Sequence, residues 1–156
     1  MDAFFRHLDS ALKWVLIAAM GAIVLVVSWQ VLSRYVLQSP SSATEEMARF
    51  LLIWVGMLGA AYGYRVRAHL GLSLVTDRLG ASWKRRIDAL VHLLVMVFAA
   101  LVMVLGGYKL VRLTLDLKQV SAAMGIEMGW VYSVVPLSGL LMLLFGYDHL
   151  RSGRQH

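Results

Sequence analysis

Residues 42–61 read SATEEMARFLLIWVGMLGAA, a charged beginning that continues as an apolar run long enough to enter a membrane. Glu45, Glu46 and Arg49 all stand within about its first two turns if the run is helical. A charged side chain surrounded by hydrocarbon costs at least ~2.5–3.5 kcal/mol, so charges at such a place need partners. The stretch therefore predicts a membrane helix whose first turns hold a set of paired charges.

The composition around this stretch is that of a membrane protein. The chain has 156 residues, is 60% hydrophobic and has a mean hydropathy of +0.70, whereas soluble domains are about 45–50% apolar. It contains no cysteine, which excludes disulfides, zinc–thiolate sites and thiol nucleophiles. The net charge is +6, but the basic residues border apolar runs, so we assign them to membrane topology and expect no nucleic-acid partner.

Four apolar runs are each long enough to cross the roughly 30 Å hydrocarbon layer. They cover about residues 14–35, 43–64, 87–108 and 130–150. The first run is longer than the core of a signal peptide. The sequence therefore predicts an all-α membrane protein, a single four-helix transmembrane domain over residues 1–156.

The distribution of lysine and arginine predicts the orientation. The segment between the second and third runs carries six basic residues and the two termini add four more, whereas the opposite side has three, plus Arg34 and Arg49 at helix ends. By the positive-inside rule both termini face the cytoplasm. The residues expected at this cytoplasmic interface, with lipids as neighbours, are Arg65, His69, Trp83, Lys84, Arg85 and Arg86.

Part of this segment has helical spacing. Leu72, Val75, Leu79 and Trp83 recur every three or four residues, which predicts a short amphipathic helix lying at the interface. A plain basic loop is the alternative.

The charges that open the second run have two interpretations. Ser42 and Glu45 fit a capping box, while Arg49 lies deeper and needs a carboxylate, which Glu45 or Glu46 can supply from one turn away. Arg34 lies across the short turn, so a structural network of Arg34, Glu45, Glu46 and Arg49 is the favoured interpretation. A transport role is the alternative, but the other runs lack acidic residues at mid-depth.

Small and aromatic residues follow these charges. Small residues let helix backbones approach closely in lipid, and Trp54 falls near mid-depth, where packing against protein explains it best. Pro136 removes one amide from the fourth run and predicts a kink. The residues predicted to serve helix packing or a partner interface are Trp54, Gly56, Gly59, Ala60, Gly63, Trp130 and Pro136.

The sequence offers no catalytic motif. It has no glycine-rich phosphate loop, nucleophile elbow or metal-ligand spacing, so we expect no enzyme activity, no cofactor and no metal. His92 and His149 lie near the same ends of their runs, which leaves a haem-bearing membrane redox subunit as an alternative. A stand-alone four-helix exporter is a second alternative, although the first run lacks the acidic residue such proteins carry. A membrane assembly factor is a third.

Several short motifs together resemble the small membrane subunit of tripartite ATP-independent periplasmic (TRAP) transporters, the DctQ-like subunit. The resemblance extends from Val15 to about Tyr147. It rests on LSRY (32–35), EEMARF (45–50), Trp54, LGAA (58–61), Arg65 and His69, and, around the fourth run, on Ile126, WVY (130–132) and PLSG (136–139). One departure is IEM at 126–128, where the family pattern has Ile-Pro.

The resemblance implies a function in uptake without a transport site of its own. In this family a large multi-span membrane subunit moves the substrate, and a periplasmic substrate-binding protein captures it. The substrate is usually an organic acid, and a sodium gradient drives symport across the inner membrane. The small subunit packs against the large subunit and contributes to docking of the binding protein. We expect these two proteins and membrane lipids as partners.

The network interpretation predicts unequal effects of two substitutions. Arg49→Ala should weaken subunit assembly or uptake, because it leaves carboxylates without their cation, whereas Glu45→Gln should have little effect. Co-purification and uptake assays check this. Wild-type assembly and uptake in Arg49→Ala would exclude the network.

Overall fold

The computed structural model describes residues 2–39, 41–66 and 81–152. Four stretches in it are long and apolar enough to cross a membrane, which confirms the four predicted spans: Phe5–Tyr35, Ser42–Arg65, Ala89–Asp116 and Met128–His149. The helices are α1 (Asp2–Tyr35), α2 (Ser42–Arg65), α3 (Ala81–Phe98), α4 (Gly107–Asp116), α5 (Met128–Tyr132) and α6 (Val134–Ser152), and a π-helical segment, Ala99–Gly106, joins α3 to α4.

The ends of the elements differ from the prediction in three places. α1 begins at Asp2, well before the apolar run, and the third span stays helical to Asp116. Trp83 belongs to α3, while residues 72–79 of the predicted amphipathic helix lie outside the described residues. The cytoplasmic orientation of both termini stays a prediction.

The start of α2 corrects the expected capping box by one residue. Ser41, with φ −97° and ψ 111°, is the N-cap, and its Oγ accepts a hydrogen bond from the Thr44 amide at 3.5 Å. Ser42 is therefore the first helical residue, and Glu45 lies one position beyond the place where a capping box needs its acid. The Glu45 carboxylate is consequently available to another partner.

The four spans pack in a row in which chain order and spatial order differ. Among the described elements, α1 packs along α2 alone, α2 packs on α6, and α6 packs on the π-helical segment. The spatial order is thus first, second, fourth, third span. Helices arranged in a row enclose little interior volume, so the hydrophobic core is small. It centres on Phe145, Val134 and Ser138, the largest fully buried side chains.

Glycines make the closest contacts in this row possible. A Cβ on Gly139 of α6 would lie 2.7 Å from Met103 Cβ and 3.2 Å from the Ala99 carbonyl oxygen in the π-helical segment. A Cβ on Gly107 would lie 2.9 Å from the Pro136 ring. Because only a hydrogen fits at both places, the third and fourth spans approach backbone to backbone.

The expected irregularity near Pro136 is a helix break. α5 ends at Tyr132 and α6 begins at Val134, so the break falls at Ser133, three residues before the proline. The Ser133 hydroxyl donates to the Trp130 carbonyl oxygen at 2.6 Å. Proline has no backbone N–H to donate to a carbonyl of the preceding turn. The Ser133 side chain provides a hydrogen bond to the Trp130 carbonyl, next to the break.

Gly139→Leu should destabilise the fold, because its side chain would have to displace Met103 and the backbone of the π-helical segment. Overpacking of this kind costs about 1–3 kcal/mol, seen as a lower midpoint of thermal unfolding in detergent. Gly21→Leu is the matched control, since nothing lies within 4 Å of a Cβ there. An equal midpoint for both variants would contradict the close contact.

Candidate partner interface

The carboxylate of Glu46 joins the start of α2 to the loop between α4 and α5. Its Oε1 accepts a hydrogen bond from the Ala122 amide at 2.9 Å. Its Oε2 accepts from the amides of Ala123 and Met124, both at 3.1 Å. Three successive backbone amides that converge on one anion form a concave anion-binding nest. These hydrogen bonds join two segments that lie 76 or more residues apart in the sequence. We call them the Glu46 clamp.

The loop is shaped to present these amides. Lys118 and Gly125 adopt left-handed conformations with φ of 48° and 66°. An antiparallel bridge pairs Val120 with Glu127, and the Ser121 amide donates to the Ile126 carbonyl oxygen at 2.8 Å. The chain between these anchors turns tightly at residues 122–124. Their amides therefore point to one place, where Glu46 lies.

The four charged residues predicted to form one network are not all joined to one another in the described part of the chain. Arg49 pairs with Glu45 one turn away, and both side chains are more than half exposed. Arg34 is exposed at the end of α1, and no ion pair joins it to Glu46 in the part of the chain that the structure describes. The Glu46 carboxylate accepts from three backbone amides in place of the expected contact with Arg34.

The opposite end of the row is held by Arg65, at the last turn of α2. Its Nη1 lies 2.7 Å from Oδ2 of Asp148 on α6, and its Nε lies 3.9 Å from Oδ1 of Asp9 on α1. The guanidinium also lies over the rings of Phe145 and Phe5, 5.4 and 5.9 Å from their centroids. Arg65 was predicted as an interfacial cation; it is also the residue that ties three spans together.

Next to Arg65 a partly buried group of three aromatic rings connects α2, α3 and α6. The Tyr64 hydroxyl lies 2.9 Å from His92 Nδ1. The ring centroids of His92 and His149 are 5.6 Å apart, and Tyr64 contacts both rings edge-on. The two histidines do lie at matching depth, as the haem alternative required. Their rings contact each other and the Tyr64 ring directly.

The small residues of α2 form a face that the described part of the chain leaves uncovered. We call Gly56, Gly59, Ala60 and Gly63 the α2 face. A Cβ added at any of its three glycines would meet nothing within 4 Å. The third and fourth spans differ in this respect. Their closely packed glycines lie against side chains or backbone of the same chain. Within the described ranges, therefore, no atoms of the chain cover the glycines of the α2 face.

The remaining predicted residues lie in different environments. Trp54 is partly buried against the core, whereas Trp130 is 67% exposed. Arg86 is exposed in the early turns of α3. His69 lies outside the described residues, and so do the side chains of Trp83, Lys84 and Arg85.

Most of the chain is similar in sequence to one known protein family. Residues 23–155 match the family described as Tripartite ATP-independent periplasmic transporters, DctQ component. The chain belongs to this family. As a DctQ component with four membrane-spanning helices, it is a non-catalytic, multi-pass subunit of a TRAP transporter in the bacterial inner membrane.

The similar proteins include both small and long permeases. The sialic acid TRAP transporter small permease protein SiaQ of Vibrio cholerae is 25% identical over 80% of this chain and 70% of its own length. The sialic acid TRAP transporter permease protein SiaT of Haemophilus influenzae is 27% identical over 88% of this chain. The isethionate TRAP transporter permease protein DctMQ of Oleidesulfovibrio alaskensis is 30% identical over 81% of this chain.

The two longer relatives differ from this chain in size. The matched region makes up only 22% of SiaT and 21% of DctMQ. This DctQ subunit therefore spans about a fifth of those proteins, which contain a much larger remainder.

The backbone at Glu127, where the sequence departs from the expected Ile-Pro, is compatible with a proline. This residue is the N-cap of α5, with φ −61°, the value that a proline ring imposes. The backbone here thus has the shape that the Ile-Pro pattern would give, although glutamate occupies the position.

Glu46→Gln should loosen the loop between α4 and α5. Glutamine loses the charge and places an amide nitrogen where an acceptor is needed. We expect faster hydrogen exchange at the amides of residues 122–124 and faster proteolysis of the loop. Glu45→Gln, one residue away and paired only with Arg49, should leave both rates unchanged. Equal rates in Glu46→Gln and wild type would contradict the clamp.

Proposed function

We propose that this DctQ subunit braces a large transport subunit through the α2 face, and that its Glu46-clamped loop contributes to docking of a periplasmic substrate-binding protein. In this proposal the chain transports nothing itself. Its contribution is to hold a static surface beside the subunit that moves the substrate.

The observation that carries the proposal is the open α2 face. Lipid tails are as apolar as the side chains of a helix, so association in a bilayer depends on close packing and not on hydrophobic burial. A face of small residues is suited to such packing. Elsewhere the chain fills the space beside its closely packed glycines, at Gly107, Gly129, Gly139 and Gly146, with its own atoms. A partner helix is the natural occupant of the face left open.

The longer relatives support the same partner. In SiaT and DctMQ the matched region is covalently joined to several times its own length of permease. A region that is continuous with a large permease in some relatives has reason to bind one as a separate chain in others. The row arrangement of the spans also fits a brace, because it leaves most apolar side chains available to lipid or partner.

The docking part of the proposal rests on the loop. On the predicted topology, the Glu46 end of the row faces the periplasm, so residues 117–127 are presented to a soluble protein there. The clamp and the bridge between Val120 and Glu127 keep this segment in one shape. A preformed surface loses less conformational entropy on binding than a mobile loop does.

The proposed transport reaction is uptake of an organic acid driven by an ion gradient. Two relatives are named for sialic acid and one for isethionate, both of which are anions. We extend only this chemical class to the present transporter, with sodium as the coupling ion. Uptake by proteoliposomes that contain both membrane subunits and the binding protein, with and without a sodium gradient, tests this part.

Substitutions on the α2 face test the brace. Gly59→Leu and Gly63→Leu should leave the chain folded, because both positions are open, but should reduce recovery of the large subunit on co-purification about tenfold or more, since leucine holds a partner helix away. Gly21→Leu, equally open but on α1, should not change the recovery. Undiminished recovery with both α2 variants would reject this face as the interface.

A further inference from the structure

A cavity between α1 and α2 lies beside the α2 face and serves none of the roles described above. Its volume is ≈ 440 Å³, and its lining residues are Lys13, Leu16, Ile17, Met20 and Tyr62. We call it the α1 groove. We propose that it binds one acyl chain of an anionic phospholipid, whose phosphate lies at Lys13.

The shape of the groove follows from residue spacing. Lys13, Leu16, Ile17 and Met20 recur at helical intervals, so they line one side of α1. From Lys13 to Met20 is seven residues, about 10 Å along the helix axis. Tyr62 of α2 forms the opposite wall.

The depth of the groove fits one leaflet of the bilayer. Lys13 is the last charged residue before the uncharged stretch 14–33, so it lies at the level of the lipid headgroups. Met20, about 10 Å further in, lies within the same half of a layer roughly 30 Å thick. A transmembrane helix of a partner would need a path across the whole layer. A single acyl chain hanging from its headgroup needs only this length.

Charge selects the headgroup. The surface inside the α1 groove is apolar, and Lys13 is the one cationic residue among those that line it. Asp9, one turn earlier, lies 3.9 Å from Arg65, and no ion pair joins it to Lys13 within the described ranges. Lys13 is exposed and can reach a phosphate. An ammonium group near the membrane surface favours an anionic lipid by about 1 kcal/mol, roughly fivefold in affinity.

The test is a lipid titration of the purified full-length chain by native mass spectrometry, with phosphatidylglycerol and phosphatidylcholine as probes. We expect one tightly held phosphatidylglycerol per chain and weaker retention of phosphatidylcholine. Lys13→Gln should weaken phosphatidylglycerol binding about fivefold. Ile17→Trp should abolish it by filling the groove, and this variant should fold, because Ile17 is 49% exposed.

Two matched controls make the result specific. Lys109→Gln removes one exposed lysine elsewhere, and Leu94→Trp adds the same bulk to an exposed position of α3. Both should bind as wild type does. Wild-type binding by Ile17→Trp, or equal losses in Lys13→Gln and Lys109→Gln, would overturn the proposal.

The result for lipid binding can be distinguished from the result for binding of the large subunit at the α2 face. If Ile17→Trp loses the large subunit and keeps its lipid, the α1 groove holds a protein helix and the lipid proposal fails. If it loses the lipid and keeps the large subunit, the lipid site stands whether or not the α2 face proves to be the interface.

Discussion

Hydrocarbon does not drive apolar helices together, and this constraint shapes the whole molecule. In water, the apolar side chains of four helices would collapse into a common core. Here the buried core is small, and leucines and valines along most of the row stay exposed. What holds the spans in place is a pair of polar contacts at the two ends and glycine contacts between them. Each of these is specific in geometry, so the row can be open and still well defined.

The two ends use different chemistry for the same purpose. At one end a single carboxylate collects three backbone amides, which connects the second span to the loop before the fourth. At the other end a single guanidinium lies between two carboxylates and two phenyl rings, which connects the first, second and fourth spans. Arginine suits this second place because its planar group stacks and forms ion pairs at once.

How much of this could be predicted depends on the kind of interaction. The spans follow from apolar run length, because a backbone in lipid must satisfy its own hydrogen bonds and so must be helical. The partner of Arg65 was within reach of the sequence, since Asp148 and Asp9 are acids expected at the same membrane surface. The partner of Glu46 was not. It is a set of backbone amides, which every residue carries, and only the turn of the loop makes these three converge.

Glycine spacing illustrates the same limit. The repeated glycines of the second span predicted close packing, yet the chain leaves them open. The glycines that do pack closely, such as Gly107 and Gly139, form no repeat. A glycine repeat indicates a helix surface that another helix can pack against closely. It does not reveal whether that other helix belongs to the same chain.

The order of the spans in the row also has a consequence for biogenesis. The fourth span lies between the second and the third, although it follows both of them in the sequence. The first two spans can pair as soon as they are made, since the turn between them is short. Among the described residues, the third span packs along the fourth span and not along the first two. The row of described spans therefore becomes complete only when the fourth span takes its place in the middle.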